Sequence, residues 1–238
     1  LDFKSLTHEE AKFLIYEILT DKIREQFDKT GDTDFSYALE GLARFRGNVF
    51  MQQRGIAAVF RKIPEKILSV KDLNLPETVL QFTGLKKGLV LVTGATGSGK
   101  STTLAALIDH INNTREDHII TLEDPIEHLF VNKRSVITQR QVGLDARSFM
   151  AALDHVSRQN PDIVMIGESR DANTIGAALT ASETGHLVIT TGHAPSASQA
   201  IDRIIDLFPT HQQSQVRAQL SVVLEAVIYQ MLLPRRDG

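Results

Sequence analysis

The eight residues from Gly94 to Ser101, Gly-Ala-Thr-Gly-Ser-Gly-Lys-Ser, constrain this chain more than any other stretch. They follow the apolar run Leu89, Val90, Leu91, Val92 and precede Thr102 to Ile111, which has helical periodicity. Strand, glycine loop and helix in that order is the context a phosphate-binding loop requires, and it separates the motif from an ordinary glycine turn that carries a lysine. The three glycines let the backbone curl until successive N–H groups face a polyphosphate, and the N-terminus of the following helix adds partial positive charge. In that geometry Gly94, Ala95, Thr96, Gly97, Ser98, Gly99, Lys100, Ser101 and Thr102 cradle a nucleotide. Lys100 then reaches the β- and γ-phosphates, and Ser101 places its hydroxyl on Mg²⁺.

Beyond the loop, strand and helix signals alternate: strand 88–93, helix 100–113, strand 118–122, helix 147–158, strand 163–166, helix 172–182, strand 186–191 and helix 196–206. A hairpin is expected at 130–143, and a long final helix runs from Gln212 to Leu233 and ends at Pro234. Short apolar strands alternating with helices define an α/β fold with a parallel sheet covered on both faces, and ligands on such sheets lie beyond the carboxyl ends of the strands.

Upstream, the period differs. Thr7 and Glu10 have capping-box spacing, and Ala11, Leu14, Ile15, Ile18 and Leu19 share a face, so residues 7–19 read as an amphipathic helix. A short helix from Asp21 to Lys29 ends at Gly31. Alternation then starts at Phe35, Tyr37 and Leu39, turns at Glu40-Gly41, resumes through Phe45, Val49 and Met51, and after Gly55 runs from Ile56 to Ile63. Two helices and three tightly connected strands make a small α+β domain with an antiparallel sheet. The domains expected are therefore 1–64 and 76–238, with 65–75 as the connection.

Composition excludes several classes. With no cysteine among 238 residues there is no disulfide and no thiolate zinc site. A net charge of -3 gives no global reason to expect nucleic acid as a partner. No apolar segment is long enough to insert in a bilayer, and the opening Leu-Asp-Phe-Lys-Ser is not a signal peptide, which points to a cytoplasmic protein. The start without methionine and the stop at Arg235, Arg236, Asp237, Gly238 read as a chain trimmed at both ends.

Polar groups cluster about three strands of the second domain. The strand at Ile119 to Leu122 runs into Glu123-Asp124-Pro125-Ile126-Glu127, and that at Ile163 to Ile166 runs into Gly167-Glu168, the form of a Walker B strand. His186 begins the strand Leu187 to Thr190, and His193 follows it. An isolated acid after a strand is often a solvated turn residue or a cap, and a lone histidine a neighbour of the core, but three such sets downstream of a phosphate loop suggest one shared site.

These segments resemble the four boxes of the secretion ATPase superfamily of type II and type IV secretion and type IV pili, in the right order and over nearly the whole chain. Thr121 to Glu127 looks like the Asp box, Arg158 to Asp171 like the Walker B box, and Thr184 through His193 to Arg203 like the His box. Around the second histidine this chain reads Thr191-Gly192-His193-Ala194-Pro195, where the family more often has leucine before and threonine after. Within the superfamily the chain is most similar to the pilus retraction ATPases of the PilT kind, since assembly ATPases usually carry a tetracysteine zinc insert.

The resemblance implies a PAS-like N-terminal domain and a RecA-like C-terminal domain, assembled as a homohexamer. It implies Glu123 as the base that activates water, Glu168 on the Mg²⁺ shell, and His186 and His193 as sensors of the γ-phosphate. Arg46 and Arg61 fall where the family carries arginines that complete a nucleotide site, with Arg44 and Arg54 close by. Together these imply Mg²⁺-dependent ATP hydrolysis at the seam of the two domains, closing and reopening them to withdraw pilin subunits through an inner-membrane platform protein. Other readings are an assembly or secretion ATPase of the same superfamily, a RecA-like nucleic-acid translocase, and a nucleotide-gated partner subunit that scarcely hydrolyses ATP.

Overall fold

A computed structural model describes residues 5–39, 42–63 and 66–234. The expected turn at Glu40-Gly41, Pro64, and the last four residues lie outside these. The chain divides into two compact units, Leu1–Lys66 and Ile67–Gly238.

The first unit opens with α1 (His8–Ile18), whose N-cap Thr7 accepts from Glu10 N while the Glu10 carboxylate accepts from Thr7 N, the reciprocal capping box read from the sequence. Helix α2 (Asp21–Thr30) follows and is closed by Gly31 in the left-handed region at φ 72. Strands β1 (Asp32–Leu39), β2 (Ala43–Gln52) and β3 (Gly55–Ile63) form an antiparallel sheet in that order. Phe35, Val49 and Ile56 project from one face and bury Ile15, Leu19, Ile23 and Phe27 of the helices. This is the small α+β unit expected.

Residues 67–75, expected to be connection, pack on the second unit: Val70 is buried with Val79, Ala106 and Leu107, and Leu73 and Leu75 lie against the same cluster. After a 3₁₀ segment (Glu77–Gly84) come β4 (Gly88–Gly94), α3 (Lys100–Thr114), β5 (His118–Glu123), β6 (Val136–Gln141) and α4 (Phe149–Val156). Then follow β7 (Ile163–Ile166), α5 (Ala172–Glu183), β8 (Leu187–Gly192), α6 (Ala197–Asp206), α7 (Thr210–Val223) and β9 (Leu224–Gln230). The six strands form one sheet in the order β6-β5-β7-β8-β4-β9, and every pairing is parallel. On one face Val90 and Val92 meet Leu104, Ile108 and Ile111 of α3; on the other Leu89 and Leu91 meet α5, α6 and α7. Burial on both faces explains why these strands are unbroken apolar runs in the sequence.

Two expectations are corrected. The long final helix stops at Val223, and Leu224–Gln230 leaves it as a parallel edge strand beside β4. A register shift between Leu89 and Val90 interrupts the pairing, after which Ala226 and Ile228 face the α3 side and Val227 the other; that bulge blurs the alternation that would have marked a strand. The expected hairpin at 130–143 is also absent. Val136–Gln141 pairs parallel with β5, and a parallel neighbour cannot be reached by a tight turn, so the intervening residues cross over as a loop.

Candidate active site

The glycine loop sits at the carboxyl end of β4, with β8 on one side and β9 on the other. Gly94 has φ +150, and a Cβ there would stand 2.1 Å from the Gln230 carbonyl oxygen, so no other residue fits where β9 closes on the loop. Gly97 and Gly99 also have positive φ, 78 and 92. Lys100 is buried, and its Nζ folds into the loop, donating to the carbonyls of Gly94 at 3.0 Å and Ala95 at 2.8 Å. No ion pair to Lys100 occurs among the described residues, and burial pushes its ammonium below the usual lysine range. A buried cation neutralised only by carbonyl dipoles makes the ring of the loop a place for an anion.

Ser98 is buried as well, and its Oγ has no hydrogen-bond partner among the described residues. Ala95, Thr96, Gly97 and Ser101 are exposed, as the rim of a cradle has to be, and Thr102 is half-buried. Gln230 was not singled out in the sequence, because nothing in its own neighbourhood marks it. It braces the loop from β9: its Oε1 accepts from Thr103 Oγ1 at 2.7 Å, and its Nε2 lies 3.1 Å from where a Cβ on Gly99 would be.

Glu123 ends β5 and is buried. Desolvation raises its pKa, opposed by three donors: Thr121 Oγ1 at 2.7 Å and Gln139 Nε2 at 3.2 Å on Oε1, and the Glu127 amide at 3.4 Å on Oε2. Gln139 is itself fixed, donating to the His128 carbonyl and accepting from the Phe130 amide, both at 2.8 Å. The result is a carboxylate in one orientation with a raised proton affinity, which is the equipment of a general base. Strand β5 is three places from β4, or roughly 14 Å across the sheet at about 4.8 Å per strand. That offset leaves room for a phosphate and a water between Glu123 and the loop.

Glu168, just past β7, is half-buried and pairs with Arg170 at 2.7 Å. Among the described residues no cluster of three or more His, Cys, Asp or Glu is arranged to hold a metal. Ser101 and Glu168 offer one hydroxyl and one carboxylate, an all-oxygen set that fits Mg²⁺, which takes few protein ligands and fills its shell with phosphate oxygens and water.

The two histidines separate. His193 follows β8 at the loop's end of the sheet, and its imidazole is pushed below the usual range by burial and then by the positive charges of Lys100, Arg170 and Arg203. His186 precedes β8, at the amino end; its carbonyl accepts from Gly88 N and its Nδ1 lies 2.9 Å from the Ala181 carbonyl. Six residues of β8 intervene, roughly 20 Å of strand, so within the chain His186 does not join Glu123, Glu168 and His193 at the rim.

In the first unit Arg46 and Arg61 are direct register partners across β2 and β3, so the two arginines expected to act together share one face of the sheet. Asp34, on β1, reaches Arg46 at 3.6 Å, and its neighbour Asp32 accepts from Asn48 at 2.8 Å on the same face. Arg44 is two residues along β2 on that face, and Arg54 lies in the exposed turn between β2 and β3.

A parallel sheet whose glycine loop runs straight into a helix, with carboxylates standing on the tips of strands beyond it, is the domain of the phosphate-loop ATPases. Residues 42–237 match the family described as Type II/IV secretion system protein, and the chain belongs to that family. It is 47% identical over 238 residues to the type IV pilus retraction ATPase PilT of Pseudomonas aeruginosa, covering 100% of this chain and 69% of that protein. It is 45% identical to a twitching motility protein of Neisseria gonorrhoeae, of which it covers 64%. The crystal structure of the pilus retraction motor PilT with bound ADP superposes on it with a TM-score of 0.94 at 48% identity, covering 100% of this chain and 69% of the other. The chain thus spans about two thirds of the length of these relatives.

Proposed function

We propose that this chain hydrolyses ATP as a subunit of the motor that retracts type IV pili. The likeness to retraction ATPases over all 238 residues supports the biological role. The observation that carries the chemistry is Lys100, a buried ammonium held, among the described residues, by the carbonyls of Gly94 and Ala95 inside the glycine loop. Phosphate oxygens are the stronger partner for such a group, and backbone N–H groups and the start of α3 add to the attraction.

In this reading Lys100 holds the β- and γ-phosphates and disperses the charge that develops as the terminal P–O bond breaks. Glu123, fixed by Thr121 and Gln139, takes a proton from the water that attacks the γ-phosphorus, and ADP leaves with the β-phosphate oxygen. Ser101 and Glu168 would hold Mg²⁺, which neutralises phosphate charge when bound. His193 reports on the terminal phosphate, and Arg46 and Arg61 complete a nucleotide site. The assembly we propose is a homohexamer on the cytoplasmic side of the inner membrane, working on a platform protein and pilin. No helix among the described residues is long and apolar enough to cross a membrane.

Lys100→Ala tests the reading. Calorimetric titration with Mg-ATP should show affinity lower by a factor of about 100 or more, the scale of losing a charge-assisted contact to phosphate. Wild-type affinity in that variant would refute the site. Deleting the gene in its host should leave piliated cells that cannot twitch; bald cells would identify an assembly motor instead.

A further inference from the structure

On the sheet face away from α3, between the carboxyl ends of β4 and β8 and helices α5 and α6, lies a cavity of about 380 Å³. It has room for on the order of ten waters, or for one phosphate ion with part of its hydration shell. Leu91, Ile175 and Ile204 supply an apolar part of the lining. Thr93 supplies a buried hydroxyl that has no hydrogen-bond partner among the described residues. A buried polar atom left unpaired in this way costs about 1–3 kcal/mol, so its presence calls for a ligand.

Gly192, the register partner of Thr93, lines the same cavity. A Cβ at Gly192 would come within 3.8 Å of Thr93 Oγ1 and 3.3 Å of Leu91 Cδ1. The charged lining is biased to one sign: Arg170 and Arg203 against the single acid Asp206. Arg203 is positioned by donating to the His193 carbonyl, and Arg170 by its ion pair with Glu168. Thr93, in the wall, directly precedes Gly94, so the cavity borders the phosphate loop, and His193 stands in the same wall.

We propose that this cavity receives inorganic phosphate after ATP is cleaved on the loop, holding it on Arg203, Arg170 and the Thr93 hydroxyl before release. The proposal rests on the hydrolytic reading above. Its lining suits a transit stop rather than a tight site, because the apolar wall offers phosphate no partner and the arginines are already engaged. Product would leave the loop on the β8 side while ADP stays on the loop.

The test is direct binding of inorganic phosphate to the full chain loaded with Mg-ADP, followed by ³¹P NMR. Wild type should bind phosphate saturably at millimolar concentration. Arg203→Gln should weaken that binding by about tenfold and Thr93→Val by several-fold, with ADP affinity held within about twofold. Thr93→Ser, which keeps the hydroxyl, should behave as wild type and controls for any loss of fold in Thr93→Val. Phosphate affinities of Arg203→Gln and Thr93→Val equal to wild type would place the ion elsewhere, on the loop itself, and overturn the proposal. So would an absence of saturable binding in a protein that turns over ATP. A protein that binds phosphate here but never hydrolyses ATP would retain the site and refute the hydrolytic reading, so the two failures are distinguishable.

Discussion

Gln139 donates to Glu123 Oε1 at 3.2 Å from the neighbouring parallel strand, and this one contact ties the ionisation of the candidate base to the edge of the sheet. Burial raises the Glu123 pKa, and the donors from Gln139 and Thr121 hold it down. The sign follows: the base is active as the carboxylate, so turnover is present above the raised pKa and lost as pH falls through it. Stability runs the opposite way. The contribution of this carboxyl is present below the ordinary glutamate pKa and is lost as pH rises through the folded-state value.

Gln139→Leu removes one donor to the charged form and should move the acidic limb of the kcat profile up by about half a unit to one unit. Turnover should then fall more near pH 6 than near pH 8, measured by phosphate release. Equal losses at both values would show that Gln139 leaves the ionisation of Glu123 untouched.

Gly94 and Gln230 form the second constraint. Gly94→Ala drives a Cβ to 2.1 Å from the Gln230 carbonyl at φ +150, where nothing can yield except the backbone of β9. The cost should be on the order of 3 kcal/mol, a fall of roughly 6–12 °C in melting temperature for a chain of this size. Gln230→Ala removes only the amide that accepts from Thr103. It should keep the fold and weaken Mg-ATP binding by about threefold to tenfold in a fluorescence titration. An unchanged affinity would mean that β9 supports the sheet and not the loop.

Arg46 and Arg61 stand opposite one another, like charges in register whose cost of at most about 1 kcal/mol is offset in part by Asp34, 3.6 Å from Arg46. Arg61→Ala should therefore leave the thermal midpoint unchanged or slightly higher while lowering kcat by about a thousandfold, the scale of a lost arginine finger. A loss of turnover smaller than about tenfold would return both arginines to the role of solvated strand residues.

The histidines give a spatial control. His193→Ala should lower kcat by roughly tenfold or more, since it stands at the rim with the charge of Lys100 acting on it. His186→Ala should leave single-subunit ATP affinity within about twofold, because its imidazole is held against the Ala181 carbonyl at the far end of β8. A tenfold or greater loss of ATP affinity in His186→Ala would contradict that separation.

The sequence by itself determined the loop, the two-unit architecture and the strand-end acids, because each is a local signal. A glycine run between a strand and a helix, an apolar run ending in a carboxylate, and a reciprocal cap at Thr7 and Glu10 are all written within about ten residues. What only the tertiary structure decided involves partners far apart in the chain. Leu224–Gln230 was hidden as the tail of a helix, since its strand character exists only against β4 and its alternation is broken by a bulge. Gln139 and Gln230 carry no local mark, and each gains a role by reaching another element, Gln139 to Glu123 at the tip of β5 and Gln230 to Thr103 at the start of α3. Motif order likewise placed both histidines with the nucleotide, whereas a parallel strand has two ends and only one faces the loop.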